Sequence, residues 1–91
     1  MTLTGRQIAA ARALLGMSQG DLAAQGNLSI PTIKRMEGSA GAAVGMVNNI
    51  AAVRTALEVA GVEFIPENGG GAGVRLRKGR PAVPTEVDGQ P

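Results

Sequence analysis

The chain has 91 residues, a net charge of +2, no cysteine and no histidine. That length supports one small domain, and the missing thiols and imidazoles exclude disulfide staples, the usual transition-metal sites and the common nucleophile-and-base pairs, so neither a cofactor nor an enzyme is expected. The uncharged run 38–53 is shorter than the ~20 apolar residues that span a bilayer, and Arg6 and Arg12 interrupt the N-terminal segment before a signal sequence develops, so a cytoplasmic protein without a membrane span is expected.

Thr4 with Gln7 three residues later forms a capping box, and Ile8, Ala11, Leu14 and Leu15 make an apolar stripe. A helix is predicted over 5–15, ended by Gly16 in a left-handed cap, with Met17 following as a core residue. Ser18 and Asp21 form a second capping box, opening a helix that ends near Gln25; Gly20 weakens it by about 1 kcal/mol relative to alanine. Gly26 and Asn27 enter the left-handed conformation at low cost and allow a tight reversal. Ser29 then caps a third helix that has Pro31 in its first turn. At about 100° per residue, Ser29, Met36 and Glu37 share the side of Ile33, while Pro31, Lys34 and Arg35 lie opposite. Two short helices joined by a tight turn, the second with a basic outer face, are the pattern of a helix-turn-helix that lays its second helix in the DNA major groove.

These residues carry a family resemblance, ungapped over 12–37 and looser over 4–61. Gln19 opens the second helix, Leu22 and Ala23 face the core, Asn27 occupies the turn, and Ile33 and Met36 take the inward positions. In this the chain resembles the phage-repressor and Cro-like (XRE) DNA-binding domains. The resemblance implies a mainly α, lambda-repressor-like helix-turn-helix domain that acts as a transcription regulator, such as a repressor, on double-stranded DNA. It further implies that Gln19 contacts a phosphate and that Arg12 and Glu37 form a structural ion pair.

Each residue of the third helix also has its own chemistry. Arg35 can bond both acceptors on the major-groove edge of guanine, whereas Ile30, where many relatives carry a polar residue, can only pack on apolar groups such as a thymine methyl. Pro31, Thr32 and Lys34 complete the outward face, and Ser29 is first a cap and only secondarily a phosphate contact.

Residues 38–47 read as a loop with at most one helical turn, where related domains carry a short helix. Met46, Ile50, Val53, Leu57 and Ala60 restore helical spacing, giving a helix over 47–60 that Gly61 stops. The period then becomes two: 62–65 and 74–77 read as a C-terminal β-hairpin with Val62, Phe64, Val74 and Leu76 on one face. The glycine-rich turn between them lacks the lysine and the serine or threonine of a nucleotide-binding loop. Arg75, Arg77, Lys78 and Arg80 form a second basic cluster, with phosphate contact and protection of a strand edge as open alternatives.

The expected organisation is a DNA-binding domain over 1–61, a dimerising hairpin over 62–78, and a disordered tail over 79–91 that contains three prolines. An isolated hairpin is marginal in water, so pairing two of them in a homodimer would satisfy free edges and cover Phe64. The expected partners are double-stranded DNA and a second copy. An antitoxin whose hairpin or tail wraps a toxin is the nearest alternative, and an interaction module that has lost DNA binding is more distant.

Overall fold

The first three helices each begin at a side chain that satisfies their own first turn. The computed structural model describes residues 2–78, so the tail predicted over 79–91, with Arg80, lies outside the described residues. In helix α1 (Gly5–Leu15) Gln7 N donates to Thr4 Oγ1 at 3.0 Å and Thr4 N donates back to Gln7 Oε1 at 2.9 Å. Helix α2 (Gln19–Gly26) repeats the arrangement with Ser18 and Asp21, at 2.9 and 3.1 Å. Helix α3 (Ile30–Glu37) is capped by Ser29 Oγ, which accepts from Thr32 N at 3.3 Å. Helix α4 (Val47–Ala60) has no side-chain cap. Strands β1 (Val62–Ile65) and β2 (Gly73–Leu76) follow as an antiparallel pair in which Phe64 faces Val74.

The ends of α1 and α4 fall where the sequence puts them. Helix α2 runs one residue past Gln25, because the residue that turns left-handed is Asn27, at φ 57 and ψ 46, and Gly26 remains helical. β2 starts one residue before the predicted strand. Residues 38–46 contain no helical turn; they clip onto the N-terminal segment instead, through Ala43 N to Leu3 O at 2.9 Å and Gly5 N to Gly41 O at 3.1 Å.

The core gathers Ile8 and Ala11 of α1, Leu22 and Ala23 of α2, Ile33 and Met36 of α3, Val53, Ala56 and Leu57 of α4, and Val62 and Phe64 of β1. Of the predicted stripes, Leu15 and Ile50 pack against this core half-buried, and Leu14, Met46 and Ala60 are outside it. Leu14, about 100° around α1 from Leu15, is 45% exposed. Met46 is the residue before α4 and not part of its inward face, and it is 66% exposed. Gly5 allows α1 to start directly against the end of α3: a Cβ there would strike the carbonyl oxygen of Met36 and come within 2.5 Å of that of Ser39.

The hairpin packs on α1 and α4 of its own chain. Gln7, only 4% exposed, donates through Nε2 to the carbonyl oxygens of Gly73 at 2.8 Å and Ile65 at 3.3 Å, so one amide pins both strands to α1. Arg54, paired with Glu58, lies 5.9 Å over the Phe64 ring. Phe64 is 7% exposed within a single chain, which removes the expected gain from covering it in a dimer. Leu76, expected on the covered face, is 49% exposed at the far end of β2. Among the described residues no helix is long and apolar enough to cross a membrane.

Candidate nucleic-acid interface

Residues 27–29 connect α2 to α3. The left-handed Asn27 ends α2, with its N–H donating to Ala24 O at 3.2 Å, and Leu28 N reaches back to Ala23 O at 2.8 Å while the Leu28 side chain packs against the core. That short, doubly bonded connection fixes the direction in which α3 leaves α2. The fully buried Ile33 and Met36 then fix its rotation. With those two inward, Ile30, Pro31, Lys34 and Arg35 are exposed and Thr32 is half-buried; Ser29, expected on the side of Ile33, is exposed as well, because it is the cap that precedes α3 and not one of its residues. The sequence-predicted outward face is thus brought together on one helix.

A polar network holds the other end of α3. Arg12 Nε donates to Glu37 Oε2 at 2.6 Å and Arg12 Nη2 to Glu37 Oε1 at 2.9 Å, a two-pronged pairing, while Arg12 Nη1 donates to Met17 O at 3.0 Å. Gln19 Nε2 also donates to Glu37 Oε1, at 3.0 Å. One carboxylate therefore links α1, the start of α2 and the end of α3. Burial pushes the Glu37 carboxyl up, but the hydrogen bonds from Arg12 and Gln19 and the Arg12 charge outweigh it and hold the group below its ordinary value. The same hydrogen bond raises Arg12 further above its already high value. Gln19, expected at a phosphate, has its amide nitrogen on Glu37.

The two basic clusters differ in how their charge is used. Among the described residues no ion pair involves Lys34 or Arg35, so both leave positive charge on the outer face of α3. Their position in the last turn also suits the negative end of the helix dipole. In the hairpin, Arg75 donates to Glu63 at 3.2 and 3.3 Å, and that bond lowers the Glu63 carboxyl. Arg77 Nη2 donates to the carbonyl oxygen of Glu58 at 2.8 Å, completing the end of α4. Two of the four cations for which phosphate contact was one alternative therefore have partners within the fold.

Two contacts around the start of α3 are not readable from residue types. Ser29 Oγ and Thr32 Oγ1 lie 2.8 Å apart and bond to each other. Ile30 lies over Gly20, where an added Cβ would be 3.7 Å from Ile30 Cδ1. Helical spacing hints at the first pair, three residues apart, but nothing local marks the second. Among the described residues no cluster of three or more carboxylate, thiol or imidazole side chains could hold a metal ion. No protein-family profile and no curated protein sequence matches the chain.

Proposed function

We propose that this protein is a sequence-specific double-stranded DNA-binding transcriptional regulator of the lambda-repressor-like helix-turn-helix class, acting in the cytoplasm with α3 in the major groove. The observation that carries the reading is the outer face of α3: exposed, cationic at Lys34 and Arg35, and rigidly seated on α2 by a three-residue connection. Arg35 reads a guanine edge, Lys34 neutralises phosphate, and Ser29, Pro31 and Thr32 approach the backbone and groove wall around them. Gln19, at the start of α2, contacts a phosphate on the near strand once its bond to Glu37 is shared or exchanged. No cofactor takes part. The active species is a homodimer joined along the outer hairpin edge, where Leu76 is exposed.

Selection of bound sequences from random duplex DNA tests this reading. The expected outcome is an enriched inverted repeat; recovery of unenriched sequence would count against it. One observation favours a second reading as an antitoxin with a protein partner. An open groove between α2 and α4 is lined by Gln25, Ala52, Thr55 and Val59, and Val59 is 80% exposed. Co-purification of one stoichiometric small protein from the native host would support that alternative.

A further inference from the structure

The outer face of α3 is divided along its length. Its cations, Lys34 and Arg35, lie in the last turn, and its N-terminal tip is apolar: Ile30 is 43% exposed and Pro31 beside it is exposed and carries no amide hydrogen. The two hydroxyls beside the tip bond to each other, which takes up one of their two protons. Ser29 Oγ accepts from Thr32 N and bonds Thr32 Oγ1, and Ile33 N is turned back to Ser29 O at 3.2 Å. Ile30 Cδ1 rests beside Gly20 of α2, where an added Cβ would meet it at an ordinary contact distance of 3.7 Å.

An apolar tip pressed on a base edge that offers only donors and acceptors strips them of water and returns nothing. In the major groove the C5-methyl group of thymine is the apolar feature of a base-pair edge, and 5-methylcytosine presents the same group at the same place. Resting on the DNA-binding reading above, we propose that Ile30 is a specificity-determining residue that selects a pyrimidine C5-methyl group in the bound duplex. At 1.5 Å rise and about 100° per residue, Ile30 and Arg35 are about 7.5 Å apart along α3 and about 140° apart around it, so the methyl group belongs to a different base pair from the guanine read by Arg35.

The test uses the full chain and a duplex obtained by selection, with each thymine replaced in turn by deoxyuridine, which removes the methyl group and leaves every hydrogen-bonding group in place. Affinity should fall about fourfold at one or two adjacent positions, the factor expected for one uncovered methyl group, and stay unchanged at the others. At the sensitive position, a 5-methylcytosine–guanine pair should bind more tightly than a cytosine–guanine pair by a similar factor. Ile30→Ala should bind thymine and deoxyuridine duplexes alike, and Ile30→Val should keep the discrimination, with circular dichroism confirming that both variants are folded. Wild-type protein indifferent to every deoxyuridine, or Ile30→Ala retaining full discrimination, would overturn the proposal while leaving DNA binding intact. Failure to select any duplex, together with salt-independent binding, would instead remove the DNA-binding reading and this inference with it.

Discussion

Glu37 has 8% of its side chain exposed and accepts from both Arg12 and Gln19, so its charge is part of the fold. Because its folded carboxyl titrates below the ordinary 4.5, the stability it supplies is complete above about pH 4.5 and is lost as pH falls through the lower folded value. Glu37→Ala should cost about 3 kcal/mol at neutral pH by leaving Arg12 without its carboxylate. Replacing Arg12 and Glu37 together with leucine should recover much of that, and Glu37→Gln should flatten the acid limb of stability. Urea denaturation of the single and double variants at pH 7 and pH 3 measures these effects; additive single-variant costs would contradict coupling. Residue types alone do not reveal this pairing, because the partners are 25 residues apart; similarity to a known domain suggested it. The capping half of Gln7 is legible in Thr4-x-x-Gln7, but the half that binds the hairpin is not, since Gly73 is 66 positions away. Gly5 is a similar case: its need for a bare Cα comes from the carbonyls of Met36 and Ser39 arriving from another element.

The first three helices were legible as elements because their boundaries are set locally, by the side-chain caps at Thr4, Ser18 and Ser29 and by left-handed residues at Gly16 and Asn27, whereas α4, which has no side-chain cap, was legible by its apolar spacing. The hairpin was legible by its alternation, but not its seat on α1, which depends on Gln7. Replacing that amide with Gln7→Leu strands Thr4 N and two strand carbonyls and should cost about 1–3 kcal/mol. Gln7→Glu adds a sign: a carboxylate facing two carbonyl oxygens has a raised folded value, so the variant should be stable in acid and lose stability as pH rises through it. Faster amide hydrogen exchange across β1 and β2 would show that the hairpin is what loosens; unchanged exchange would contradict the pin. On the proposed DNA-binding reading the two cations of α3 have different tasks. Arg35→Ala should lose about 1–3 kcal/mol on the selected site and relax one base pair, whereas Lys34→Ala should weaken all duplexes alike and lower the salt slope by about one. Fluorescence anisotropy on selected and random duplexes separates the two, and equal losses on both duplexes for Arg35→Ala would contradict base readout.

At the scale of the whole molecule, helices and hairpin share one core to which Val62 and Phe64 belong, so removing the hairpin would open the core as well as the proposed dimer contact. A point change is the cleaner probe of assembly. Leu76→Asp, at an exposed position, should turn a dimer into a monomer in sedimentation equilibrium, with affinity for an inverted repeat falling far more than affinity for a half-site. A dimer that survives Leu76→Asp would move the contact away from β2. Two α3 helices related by a two-fold axis would reach successive major grooves about 34 Å apart, which fixes the half-site spacing at about one helical turn or a multiple of it. The central claim, that the outer face of α3 binds duplex DNA by phosphate neutralisation and base readout, is tested most directly by titrating the full-length protein onto selected and random duplexes over a range of salt concentrations. The predicted result is an affinity that falls steeply with salt, with a slope of about 0.9 per neutralised phosphate, and a selected site bound at least ~10³-fold more tightly than random DNA. Affinity independent of salt, or equal for the two duplexes, would contradict it.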